Sequence, residues 1–148
     1  MIDLYNHKIV NFYDVATIER SKQDKVYDAD SILIQVSATN GQLVYLDKPQ
    51  TIDSKYAVIK PKENVYGRYL YFVLGEVLPD FITIYQTGLN INPEIFKYLK
   101  LDMHQEMDTQ RYVGNIMHGM DDLINRETDF INQLKSFKEY HLDTMFVN

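Results

Sequence analysis

The amino-acid sequence predicts an α+β protein, in which a compact strand-rich domain is followed by one long helix suited to pairing with another helix. Two observations predict this class: strand-like runs separated by a turn signal, and a heptad repeat of apolar residues from about residue 108 to residue 141. With 148 residues and 45% hydrophobic content, the chain can bury one core. We therefore expect a globular domain over residues 1–102 and a long helix over residues 103–148.

The clearest strand signal is a hairpin. Residues 31–36 (SILIQV) and residues 42–46 (QLVYL) are rich in aliphatic and β-branched side chains. Asn40 and Gly41 lie between them, and this dipeptide favours the positive φ angles that a tight hairpin turn requires. The two runs are therefore expected to pair as antiparallel strands.

Further elements follow the hairpin. Residues 55–60 alternate like a strand, which should stop at Pro61 because proline cannot donate a ladder hydrogen bond. Residues 66–78 place apolar side chains three and four positions apart, which favours a buried helix, and residues 81–85 resemble a short strand. Residues 92–94 (NPE) have the form of a helix start, with asparagine as the cap and proline at the first helical position.

The C-terminal third carries a heptad repeat, with Ile124 and Ile131 widening its apolar stripe. One heptad position holds Val113, Met120, Glu127, Leu134 and His141, and the other holds Ile116, Leu123, Phe130 and Phe137. Four heptads are more than so small a domain should cover, which predicts a partner helix; the alternative is a helix folded back over its own domain. Glu127 and His141 would either fix the register of the pair or reach out to solvent.

Composition limits where the chain can act. No run approaches the roughly 18 apolar residues of a membrane span, and the N-terminus lacks the features of a signal peptide, so we expect a cytoplasmic protein without a membrane partner.

There is no cysteine. The net charge of -6 is concentrated near the C-terminus, since residues 1–100 hold 11 basic and 12 acidic side chains and residues 101–148 hold 4 and 9. A strongly basic face of the kind that binds nucleic acid non-specifically is not evident.

Motifs for catalysis are weak. The six glycines form no phosphate-binding loop, and the four histidines have no metal-ligand spacing, so no cofactor and no metal is expected. Asp47, Asp53 and Lys55 faintly resemble the acidic pair and lysine with which nucleases hold a divalent ion. A small metal-dependent nuclease therefore remains an alternative.

Four polar clusters in the first 100 residues carry side-chain types that contact DNA bases and phosphates. Their members are Arg20, Lys22 and Lys25 in one loop; Ser37, Thr39, Asn40 and Gln42 around the hairpin turn; Lys60, Lys62 and Arg68 beside a proline-containing loop; and Gln86, Thr87 and Asn90 around Gly88. Asp24, Asp28 and Asp30 are interleaved with the basic residues. Ordinary solvated loops are the alternative interpretation of each cluster.

The order of these features resembles one half of a type I restriction-modification DNA-specificity subunit. Residues 16–22 (ATIERSK) are similar to the start of that family's target-recognition domain, and residues 69–74 (YLYFVL) are similar to its YLYYLL helix. The most specific similarity is to the conserved spacer helix and the strand before it, in residues 95–101, 110–113, 120–124, 135–138 and 142–146. Residues 102–104 differ from the family's usual Pro-x-Pro, and the recognition domain is shorter than usual.

The resemblance implies a function. In that family, a subunit holds two recognition domains apart with two antiparallel spacer helices and docks with methyltransferase subunits. This chain would supply one target-recognition domain, residues 1–102, and one spacer helix, residues 103–148. We therefore expect a non-catalytic half-subunit that forms a homodimer, reads a bipartite palindromic site in double-stranded DNA and binds methyltransferase (modification) subunits. The alternatives are a decoy or anti-restriction protein that occupies the methyltransferase, and a coiled-coil adaptor.

Overall fold

The computed structural model describes residues 1–146 and confirms the predicted α+β class. Its strands are β1 (His7–Asn11), β2 (Ala16–Arg20), β3 (Val26–Tyr27), β4 (Ile32–Gln35), β5 (Leu43–Tyr45), β6 (Gln50–Thr51), β7 (Tyr56–Pro61) and β8 (Lys100–His104). Its helices are α1 (Phe12–Val15), α2 (Gly67–Tyr85) and α3 (Met107–Met145), with a 3₁₀ helix at Pro93–Tyr98. The chain divides into one compact unit, Met1–Asn115, and a second unit that begins at Ile116.

Three antiparallel sheets form the first unit. The largest has four strands in the order β2-β7-β4-β5, and the others pair β1 with β8 and β3 with β6. Because side chains alternate along a strand, Ile32 and Ile34 of β4 belong to the main core with Leu70 and Leu74 of α2. Leu33 lies in a second, smaller core on the other face of the same strand. The sheet is therefore buried on both faces.

The predicted hairpin is present, but its turn differs from the prediction. Strand β4 pairs with β5, and Gln35 N donates to Gln42 O at 2.9 Å, which leaves a six-residue loop between the two strands. Positive φ angles occur at Ala38 (47°) and Gly41 (83°), so the expected Asn40-Gly41 pair of positive angles was wrong at Asn40. The loop is longer because its backbone bonds to a second loop rather than closing on itself.

The strand predicted over residues 81–85 was wrong, because this segment is the last part of α2. Phe81 and Ile82 are buried and continue the apolar face that Leu74 and Leu78 begin, so burial outweighs the β-branched composition of the segment. Pro79 lies inside the helix, where it leaves one backbone hydrogen bond unmade without ending the helix. The helix at residues 66–78, the strand at 55–60 and the Asn92 cap, whose side chain accepts from Glu94 N, are confirmed.

The long C-terminal helix is confirmed as α3, which has 39 residues. The predicted domain boundary between residues 102 and 103 falls inside β8, which pairs with β1 from His7↔His104 to Asn11↔Lys100. The first turns of α3 belong to the first compact unit, up to Asn115. Within residues 1–146, no helix is long and apolar enough to cross a membrane.

Candidate nucleic-acid interface

Two of the predicted polar clusters meet in one structure, which we call the double loop (residues 36–42 and 86–91). Thr39 N donates to Leu89 O at 3.0 Å, and Ala38 N donates to the Asn90 side-chain oxygen at 2.9 Å. The Gln86 side-chain amide donates to Thr39 O at 3.1 Å. A further bond joins the backbones of residues 91 and 36. Segments that are far apart in sequence are thus held side by side.

The predicted contact residues of the double loop divide into two groups. Gln86 and Asn90 use their side chains to hold the two segments together, as described above, and the Thr39 hydroxyl accepts from Gly41 N at 3.1 Å. Asn40, Gln42 and Thr87 are exposed and make no side-chain hydrogen bond to any part of the chain that the structure describes, and Ser37 is half-buried. These three exposed side chains are therefore free to contact a ligand.

A second group of predicted residues lies near strands β2 and β7. Lys25 Nζ contacts the Glu19 carboxylate at 2.7 Å, and this hydrogen bond lowers the pKa of Glu19. Lys60 Nζ is 3.8 Å from the Asp28 carboxylate, and both side chains are mostly exposed. Lys25 and Lys60 line the same cleft of about 260 Å³. Because these ion pairs are solvent-exposed and weak, either lysine can exchange its carboxylate for a phosphate at little cost.

Arg20 and Lys22 continue this group. Arg20 is the last residue of β2 and pairs with Ala57 of β7, and Lys22 follows it in an exposed position. The Lys22 backbone N–H donates to the Tyr27 hydroxyl at 2.9 Å, while its ammonium makes no contact within residues 1–146. Arg20, Lys22, Lys25 and Lys60, which we call the basic edge, therefore keep their charges accessible.

Arg68 and Lys62 are engaged by the fold itself. Only 24% of the Arg68 side chain is exposed, and its guanidinium lies 3.6 Å from the Asp47 carboxylate and 5.2 Å from the ring centre of Tyr45. Burial, together with the hydrogen bond to Asp30, raises the pKa of the Tyr45 hydroxyl. Lys62 Nζ donates to Tyr13 O. These two cations are therefore less available to DNA than the basic edge.

The residues of the alternative nuclease site have other partners. The Asp53 carboxylate accepts from the backbone N–H of Lys55 at 2.9 Å, and Asp47 pairs with Arg68. Among residues 1–146, no three histidine, aspartate or glutamate side chains lie close enough together to hold a metal ion. Both carboxylates of the nuclease alternative, Asp47 and Asp53, are therefore engaged by other groups of the fold.

Sequence reasoning missed the residue that joins α3 to the first unit. Gln110 is 3% exposed; its side-chain oxygen accepts from Tyr66 N at 2.9 Å and its amide donates to His104 O at 2.8 Å. One turn later, Gly114 packs so closely that an added Cβ would lie 3.0 Å from Tyr69 N. The sequence carried no clear signal for this role, because glutamine also suits an exposed helix face and, within residues 1–146, Gly119 of the same helix makes no close contact.

Replacing Gln110 by alanine should lower the free energy of unfolding by about 2 kcal/mol or more, because it leaves two backbone groups without their partner. Urea denaturation followed by circular dichroism measures the loss. Gln105→Ala is the matched control, since Gln105 is exposed and, within residues 1–146, its side chain bonds only to the nearby Met103 O. Equal effects of the two substitutions would contradict the proposed role of Gln110.

The predicted dimer residues lie along α3. Val113 is half-buried and packs against the core of the first unit. In the second unit the apolar members are exposed to similar extents: Ile116 41%, Met120 55%, Leu123 58%, Phe130 56%, Leu134 50% and Phe137 63%. Glu127 and His141 are exposed as well, and the His141 ring lies 4.2 Å from that of Phe137. Half-exposed aromatic and aliphatic rows of this kind are typical of an interface without its partner.

Comparison with known proteins identifies solved structures that share this architecture. Neither a protein-family model nor a curated protein matches the sequence. The structure is similar to the type I restriction-modification S subunit from M. genitalium, with a TM-score of 0.71 and 11% sequence identity, over 97% of this chain and 46% of that chain. It is also similar to the HsdS subunit from Thermoanaerobacter tengcongensis, with a TM-score of 0.65 and 14% identity, over 97% and 46%.

A third similar structure is a chain from a study of complex assembly and conformational transition of the type I R-M system, with a TM-score of 0.68, 14% identity and coverage of 97% and 45%. The chain thus spans slightly less than half the length of the solved structures that it matches. At these identities the similarity concerns the fold. This protein has the fold of one half of a type I restriction-modification S subunit.

Proposed function

We propose that this chain is a half-size DNA-specificity subunit that acts in the cytoplasm as a homodimer with methyltransferase subunits. The observation that carries the proposal is the match of nearly the whole chain to just under half of S subunits, in both the sheet domain and the long helix. Two copies would supply two recognition domains and two helices. A two-fold dimer presents the same surface in opposite orientations, so its DNA site would be a palindrome with an unread gap.

In this proposal the first unit reads the DNA half-site. The double loop supplies amide and hydroxyl side chains, which discriminate bases through hydrogen bonds in the major groove. The basic edge supplies phosphate contacts, which fix the position of the domain without carrying sequence information. The methyltransferase subunits supply the rest of the affinity and the catalysis, so that this chain is not an enzyme.

The deciding experiment is selection of bound sequences from random double-stranded DNA by the full chain with its methyltransferase partner. We expect an inverted repeat of two short half-sites. Failure to select any sequence, although the methyltransferase is bound, would instead favour the decoy. Binding of neither DNA nor methyltransferase would favour the adaptor.

Replacing Lys22, Lys25 and Lys60 together by alanine should weaken DNA binding and reduce its salt dependence. Each lost phosphate contact should lower the slope of log affinity against log salt by about one unit, while the selected bases stay the same. Fluorescence anisotropy at several salt concentrations measures both quantities. The matched control replaces Lys8, Lys97 and Lys100, which removes the same charge from outside the basic edge, and equal effects would contradict the assignment.

A further inference from the structure

Leu89 projects from the double loop with 79% of its surface exposed, more than any other leucine, isoleucine or valine of residues 1–115. Ile84, the next most exposed, lies on helix α2 and is 74% exposed. Leu89 belongs to neither core cluster of the first unit, so its side chain is available to a partner.

The backbone on both sides of Leu89 is fixed. The Leu89 carbonyl accepts from Thr39 N at 3.0 Å, and the Gly88 carbonyl accepts from the Gln86 side chain at 3.0 Å. On the other side, the Asn90 side chain accepts from Ala38 N at 2.9 Å. Gly88 itself has a φ of +92°, which a side-chain-bearing residue rarely adopts. Leu89 is therefore presented to solvent from a rigid support rather than from a mobile tip.

The surroundings of Leu89 indicate what it contacts. Exposed polar side chains of the same double loop, Asn40, Gln42 and Thr87, are of the types that hydrogen-bond to base edges. In the major groove the one apolar group that distinguishes a base pair is the C5 methyl of thymine. An aliphatic side chain on a hydrogen-bonded backbone, among polar neighbours, matches this mixed surface of donors, acceptors and methyl groups.

We propose that Leu89 reads one thymine in each half-site by packing on its C5 methyl group. This inference rests on the proposed function. It adds a specificity-determining residue that a search for hydrogen-bonding side chains would not have found. Each copy of the chain contributes one such contact. Because Leu89 belongs to neither core cluster of the first unit, its truncation should leave the folded protein unchanged.

The test combines a protein change with a DNA change. The selected site is prepared with deoxyuridine, which lacks the C5 methyl group, in place of each thymine in turn. For the wild-type dimer with its methyltransferase, one such replacement should weaken binding about fourfold per half-site, the equivalent of removing one buried methyl-sized group. Leu89→Ala should bind the thymine site about as weakly and should no longer distinguish thymine from deoxyuridine at that position.

Ile84→Ala is the matched control, since it removes a similarly exposed aliphatic side chain from outside the double loop, and it should keep full discrimination. The melting temperatures of both variants should equal that of the wild type. A Leu89→Ala dimer that still discriminates, or a wild-type dimer that tolerates deoxyuridine at every position, would overturn the role of Leu89 while leaving the proposed function intact. A wild-type protein that selects no half-sites would overturn both.

Discussion

Leu123→Asp and Phe130→Asp should each convert a dimer into a monomer of 17.5 kDa, because each places an unpaired carboxylate in the centre of the expected helix pair. Leu123 and Phe130 occupy the same heptad position one repeat apart, and each is more than half exposed in the single chain. Desolvating an unpaired charge costs several kcal/mol, and a two-fold dimer carries the substituted residue twice. Sedimentation equilibrium measures the mass directly.

The control for this experiment is Asn125→Asp, which introduces the same charge into α3 on the side away from the heptad stripe. This variant should remain a dimer, since its carboxylate stays in water. Thermal denaturation should show one cooperative transition of the first unit in all three variants, so that loss of the dimer is not loss of the domain fold. A Leu123→Asp or Phe130→Asp protein that sediments as the wild type would show that the stripe is not the interface.

The sequence predicted elements well where one physical signal was dominant. The heptad stripe of α3 and the apolar face of α2 are repeated over several turns, so periodicity identified both helices. The segment at residues 81–85 was misassigned because its β-branched composition is a weak local preference, whereas burial of Phe81 and Ile82 is a tertiary effect. The paired residues of β1 and β8 are about 95 positions apart in the sequence. Local sequence patterns cannot predict strand pairing over such a separation.

The candidate site, too, was predicted from the sequence only in part. Residue type alone grouped Gln86 and Asn90 with the base-contacting side chains, but their hydrogen bonds to the other segment of the double loop could be found only from the tertiary structure. Arg68 was grouped with Lys60 and Lys62 by its charge, yet only 24% of its side chain is exposed and it lies beside Asp47. Conversely, Leu89 drew no attention in the sequence because a single leucine in a loop has no pattern. Only its exposure and its rigid support distinguish it.

Deleting residues 124–130 should shorten the gap between the half-sites by about three base pairs without changing the bases read. The deletion removes one heptad, so Leu123 is followed by Ile131 and the apolar stripe keeps its phase. Seven helical residues span roughly 10 Å, and B-form DNA rises about 3.4 Å per base pair. Selection from random DNA, with the methyltransferase present, gives the gap length for the wild type and the variant.

Two further variants test whether the helix sets the length of the gap. Duplicating residues 124–130 should lengthen the gap by the same three base pairs, because the helix then acts as a ruler in both directions. Deleting only residues 125–126 rotates the two halves of the stripe by about 200°, onto opposite faces of the helix, so this variant should lose the dimer. Equal gaps in the deletion, the duplication and the wild type would mean that the methyltransferase subunits, rather than this helix, set the distance between the recognition domains.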